Sequence, residues 1–288
     1  MKRLALLAVF VVAACGALTT AQAHTLSLGF KSGDTYKYKF HATSKQTIGM
    51  STMTVPVQVD MSATETVKVN SVDSSGVADL TITMGDFTLK YVSSGVTTTT
   101  TGMPTTSVEI KLRPDGTPVN INGNEMMAGS PMTAFGGLGG GFFIAAVLPD
   151  HAVKAGDTWT KNYDQTDPKG PGTVHITSSS KYLRDETVNG ISAAVVETKS
   201  NGTIDLTSPP GSAGAAPAVA IRGTFTTDVT TWIDPSGHRI VKSHSTSTDD
   251  ATINLPQSMG PSKQPSPGTP MQGPITAKGE GTSNLDPA

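Results

Sequence analysis

Apolar and polar residues alternate along most of this chain. Tyr36, Tyr38 and Phe40 are interleaved with Lys37 and Lys39, and Val55, Val57, Val59 and Met61 with Pro56, Gln58 and Asp60. A period of two puts one set on each face of an extended strand. The pattern predicts strands within 25–40, 41–70, 77–83, 86–91 and 108–112, and again over 203–207 and 218–233. Pro56 has no N–H for a ladder, so a sheet edge or a bulge is expected there. Gly33-Asp34, Ser74-Ser75-Gly76 and Pro114-Asp115-Gly116 mark turns, since Pro fixes φ and Gly tolerates positive φ. The run 97–101 with Gly102 and Pro104 reads as a hairpin tip.

Alternation breaks down over 124–149, the most apolar and Gly-dense part of the chain after its first residues. Phe135, Leu138, Phe142 and Ala145 fall at helical spacing. Five glycines between 136 and 141 oppose a helix by about 1 kcal/mol each relative to Ala. Two short helical pieces around a Gly joint, ending before Pro149, reconcile the two signals. A buried strand over 142–148 is the alternative for the second piece. The segment is expected to be a hinge or core plug between two β-rich halves, 24–123 and 150–255.

Those halves share landmarks. Lys154-Ala155-Gly156-Asp157-Thr158-Trp159 echoes Lys31-Ser32-Gly33-Asp34-Thr35-Tyr36. Asn189-Gly190 corresponds to Ser75-Gly76, and Asp234-Pro235-Ser236-Gly237 to Arg113-Pro114-Asp115-Gly116. Similar spacing of three landmarks suggests a duplication; strands separated by Gly turns also look alike without one. The stretches 208–217 and 257–274 are rich in Pro, Gly and Ser and read as long loops. Within 256–288, residues after the second loop alternate weakly and form either a last strand or a disordered tail.

The start of the chain changes the picture. Lys2 and Arg3 precede an apolar run, 4–18, and the small-x-small site Ala21-Gln22-Ala23. This is the form of a signal peptide, 1–23, cleaved between Ala23 and His24. The run is shorter than the roughly 20 apolar residues a membrane span needs. A second processing route competes, because Val12-Ala13-Ala14-Cys15 resembles a lipobox whose Cys15 becomes lipidated. Membrane attachment is expected only on that route. Export removes two of 21 basic residues, leaving 19 against 23 acidic ones and a net charge of −4. No basic stripe remains, which argues against a nucleic-acid partner. Cys15 is the only cysteine, so no disulfide is expected and stability must come from core burial.

HExxH, CxxC, GxSxG and the P-loop are absent from the sequence. The Gly cluster lacks the strand–helix context and the Lys-Ser/Thr of a phosphate loop. His238 and His244, six apart on one strand, lie about 20 Å from each other, too far to share a metal. His24 could chelate copper through its amine and ring if it became the N-terminus, but such residues are ordinarily mobile. Asp185-Glu186 and Asp249-Asp250 are adjacent, and neighbours on a strand face opposite sides. The expectation is a non-enzymatic protein with no cofactor and no metal site.

Gly33-Asp34-Thr35-Tyr36, Leu148-Pro149 and 153–159 resemble the motifs of a group of secreted bacterial β-rich proteins of unknown function. The stretch 231–240, TWIDPSGHRI, resembles the strand–turn–strand of periplasmic lipoprotein-carrier and lipid-carrier half-barrels. The likeness covers most of 26–255 loosely. It implies a curved antiparallel sheet around a helical or apolar plug and transfers no catalytic residue.

The expected fold is therefore mainly β: curved antiparallel sheets of two similar halves, half-barrel or barrel-like, with a short helical or irregular Gly-rich centre. The expected role is to hold a lipid or other apolar small molecule in the concave sheet. Its lining would come from Met126, Met127, Met132, Phe135, Phe142, Phe143, Trp159 and Trp232. The alternative is a structural or interaction protein of the cell envelope with a filled core.

Overall fold

The computed structural model describes residues 23–50, 53–121, 145–166, 172–208, 219–254 and 274–288. All regular structure among them is β. The first half contributes β1 (Thr35–Met50), β2 (Met53–Val72), β3 (Ala78–Ser93), β4 (Val96–Thr101), β5 (Thr106–Leu112) and β6 (Pro118–Ile121). The second contributes β7 (Thr158–Thr166), β8 (Gly172–Val188), β9 (Ile191–Ser208), β10 (Val219–Asp234), β11 (Arg239–Asn254) and β12 (Ile275–Pro287). They form one antiparallel sheet in the order β6-β5-β3-β2-β1-β12-β11-β10-β9-β8-β7, with β4 hanging off β3. The sheet curves until β6 meets β7, giving a nearly closed barrel.

The alternation read from the sequence sets the two faces. Tyr38 and Phe40 are buried inside, while Lys37 and Lys39 are exposed. The outward positions of β1 and β2 carry Lys37, Lys39, Lys45, Asp60 and Lys68. The outer face of these strands is thus polar and charged, unlike the apolar band of a membrane-spanning barrel.

Several expectations are corrected. The run 41–70 is not one strand but the hairpin β1–β2, because Met50 pairs with Met53. Residues 97–101 are not a hairpin tip; they are strand β4, and the turn is at Ser94-Gly95. Pro56 lies one residue past the last β2–β3 pair, Val57–Ser93, so the proline sits where the β3 ladder has ended. The final segment is a strand and not a tail: β12 sits between β1 and β11 and joins the two halves.

The repeated Gly-Asp turns have the same backbone geometry. Gly33 N–H donates to Val69 O, and Val69 N–H to Asp34 O. Gly156 N–H donates to Tyr182 O, and Tyr182 N–H to Asp157 O. The two glycines have φ of 92° and 99°, a conformation costly for other residues.

The main core lies at the end where β5–β6 and β10–β11 turn. Leu26, Leu28, Ala146, Leu148 and Val153, all from segments outside the strands, are buried there with Tyr38, Leu80, Ile82, Met84, Tyr182, Ile233 and Leu285. These segments plug that end. The described part of the central stretch, 145–149, is neither helix nor strand but irregular chain.

Candidate functional site

The plug is held by hydroxyl groups that point inward from the barrel. Ala146 N–H donates to Thr231 Oγ1 at 2.9 Å and Val147 N–H to Thr198 Oγ1 at 3.0 Å. Val147 O accepts from both Trp159 Nε1 and Ser180 Oγ, each at 2.9 Å. Leu148 N–H donates to Asp115 O, and a side chain at Gly116 would strike Ala146 O at 2.6 Å. An irregular segment inside a barrel brings unpaired backbone groups, and the inner Ser and Thr satisfy them. The same turn fastens the seam: Lys161 Nζ on β7 lies 2.7 Å from Asp115 Oδ2. Burial opposes the charge on Asp115, but hydrogen bonds from Lys161 and Thr117 hold its carboxyl below the usual range.

Away from the plug, the inward side chains form cross-strand rows. One row, Ser44, Ser247, Thr227, Ser200 and Ser178, is hydroxyl-bearing, with Ser178 and Ser200 hydrogen-bonded at 2.8 Å. The next row outward mixes Gln46 and Asp249 with Val57, Phe225 and Ile176. The row after that is apolar: Val55, Ile48, Ala277, Ala251 and Ile204. The last is Met53, Met50, Ile275, Ile253, Ile221 and Leu206, a ladder across six strands. Most of this last ladder is only partly buried, and Met53 is 62% exposed. The barrel mouth opposite the plug is therefore lined with apolar side chains on its inner face.

Three inward polar groups have no hydrogen-bond partner among the described residues. They are Ser44 Oγ, Gln46 Oε1 and the Glu65 carboxyl. Glu65 is fully buried on β2, opposite Tyr38 and Met84. Burial pushes its pKa up to about 8, so it is neutral at pH 7. Burial, and then the neighbouring Asp250, raise Asp249 as well.

On the polar outer face, a groove of about 840 Å³ crosses seven strands, with Lys45, Asp60, Lys90, Lys199, Asp228 and Glu280 in its lining. Acidic and basic side chains are mixed along it. Lys199 Nζ, for example, lies 3.2 Å from Asp228 Oδ2.

The residues singled out in the sequence fall as follows. Met126, Met127, Met132, Phe135, Phe142 and Phe143 lie outside the described residues, as does Cys15. Trp159 is buried in the core, and its N–H donates to Val147 O of the plug. Trp232 lies elsewhere. It sits between inward Thr231 and Ile233 and so faces outward, with Lys242 Nζ 4.0 Å above its ring. Ala23 is exposed, and His24 is tied to the fold, its N–H donating to Val153 O at 2.7 Å. The His24 ring packs near Tyr182 and lies 3.7 Å from Asp185. His238 sits in a turn against Ser27, and His244 pairs with Asn284. No group of three metal-ligating side chains occurs among the described residues. The mouth ladder was missed because its members lie at separated strand ends. The isolated Ile and Met positions become a surface only once the register is known.

No family model matches this chain, and no curated protein matches it.

Proposed function

We propose that this is a non-enzymatic exported protein that holds a lipid or another apolar small molecule in the open mouth of its barrel. The observation that carries the reading is the six-strand ladder from Met53 to Leu206. It leaves apolar surface partly open on a concave inner face, at the end without the described plug. Burying such surface is worth about 25 cal/mol per Å², and Met side chains adapt to irregular ligands. The export reading rests on the leader-like sequence at 1–23, its basic start, apolar run and Ala21-Gln22-Ala23 site.

Native mass spectrometry of protein taken from its own envelope, with uptake of an apolar dye, tests the reading. Bound lipid or saturable dye uptake, lost in Met53→Asp and Ile253→Asp, is expected. No co-purifying lipid and no dye uptake would overturn it in favour of a structural or interaction protein with a filled core. N-terminal sequencing is expected to give His24; a lipid-modified Cys15 would instead make the protein membrane-anchored.

A further inference from the structure

We propose that β4 is an interface on which two copies of this chain pair edge to edge, as a two-fold dimer with one continuous antiparallel sheet. This stands apart from the ligand-holding reading above.

Among the described residues β4 is hydrogen-bonded only to β3, and every residue of it is exposed, Val96 by 66%. The two strands are joined by the two-residue turn Ser94-Gly95, with φ of 49° and 79°. A turn of that type closes on a hydrogen-bonded pair, here Ser93 and Val96. Alternation from there sends the backbone N–H and C=O of Val96, Thr98 and Thr100 to β3. Those of Thr97, Thr99 and Thr101 point away from it, and no described strand takes them. Natural sheets guard such edges with Pro, charge, a bulge or shortness. The strands at the two ends of this sheet do so. β6 has four residues and starts on Pro118, β7 carries Lys161 and Asp164, and the two lie against each other. β4 has none of these guards. Its sequence, VTTTTT, is six residues without a charge, a proline or a break in register.

The occupant this edge fits is its own copy. Antiparallel pairing about Thr99 sets Thr99 against Thr99 of the second copy and Thr97 against its Thr101, with about six backbone hydrogen bonds. Thr98 then stands beside Thr100 of the second copy. Cross-strand Thr pairs stabilise a sheet, and this sheet already makes them at Thr43–Thr282 (2.8 Å) and Thr226–Thr248 (2.7 Å). Like charges stay apart. Lys90 is opposite Thr99 in register, so the two Lys90 residues would lie three strand spacings from each other. That is about 14 Å, more than the Debye length of about 8 Å. A charged segment of another protein would find no counter-charge on β4 itself. Because both copies use the same edge, the pairing closes at a dimer. The contact is one strand long, roughly 20 Å. It falls well short of the about 1,000 Å² that a stable complex buries, so the dimer forms only at high concentration.

Sedimentation velocity of the full chain, from about 1 μM to about 1 mM, tests the proposal. A monomer–dimer equilibrium is expected, with a Kd above about 10 μM that salt changes little. Hydrogen exchange identifies the edge: the amides of Thr97, Thr99 and Thr101 are expected to slow as the dimer fills, while those of Thr98 and Thr100 keep their rates. Thr99→Pro removes an outward N–H and no bond to β3. Thr99→Lys sets two cations against each other on the outer face. Each is expected to raise Kd at least about 10-fold without moving the thermal unfolding midpoint, and salt to recover part of the loss in Thr99→Lys alone. Monomer at every concentration would overturn the proposal. So would species larger than a dimer, or a dimer that both variants leave unchanged.

Discussion

At one end of the barrel, Leu26, Leu28, Val147 and Leu148 fill the space between the strands; at the other, Met53, Met50, Ile275 and Ile253 remain partly open. The same strands build both ends. What differs is the chemistry of the inward positions behind them. Near the plug, Thr198, Thr231 and Ser180 give partners to backbone groups of 146–147. Toward the mouth the hydroxyls give way to Ile, Val, Ala and Met. Irregular chain can fill a barrel only where side chains meet its hydrogen-bonding needs. Apolar rows offer no such partners, so they suit a hydrocarbon better than a peptide segment.

The largest effect should come from placing the same change at both ends. Leu148→Asp buries an unpaired charge and is expected to cost more than about 4 kcal/mol in urea unfolding, leaving little folded protein. Ile253→Asp at the mouth is expected to cost about 1 kcal/mol while abolishing dye uptake. Equal destabilisation at both ends would erase the distinction between a filled end and an open one.

Glu65 gives the next effect, and its sign is fixed. The folded state keeps the Glu65 proton up to about pH 8, whereas the unfolded chain releases it near 4.5. Its contribution is full below pH 4.5 and is lost as pH rises toward 8, at about 1.4 kcal/mol per pH unit. Unfolding free energies measured across that window for the unmodified protein and Glu65→Gln should converge at low pH and separate as pH rises. Parallel curves would show that Glu65 is solvated or paired in the folded protein.

Smaller effects sharpen the plug itself. Ser180→Ala removes one of two donors to Val147 O and the partner of Thr198, for a loss of about 1 kcal/mol in the unfolding midpoint analysis. At the bottom of the scale, Lys199→Ala on the outer groove should change stability by less than about 0.5 kcal/mol. Both partners of its ion pair with Asp228 are well exposed, at 61% and 39%.

Much of the fold was legible because one physical rule governs it. Alternation in 36–40 and 55–61 placed buried and exposed residues correctly, as Tyr38, Phe40, Val57 and Val59 show. The Gly-Asp turns were legible because positive φ restricts which residues can stand there. Other features were hidden. The inward Ser and Thr of β8 to β11 look in sequence like surface positions, since nothing local shows that a plug needs their hydroxyls. Glu65 likewise reads as one more polar residue in a Thr-rich strand. Trp159 and Trp232 look equivalent in sequence, yet one is core and one faces outward, because register sets the face.

The sequence by itself determined the strand periodicity and the turns at Gly33 and Gly156. These depend on neighbours within a few residues. Only the tertiary structure decided that β12 lies between β1 and β11, that 145–148 enters one end, and that Met53, Ile275, Ile253 and Leu206 meet in a ladder at the other. Strand pairing joins residues that are hundreds of positions apart, as Met50 and Ile275 are. Such contacts follow from how the whole sheet buries its apolar face, which no local pattern encodes.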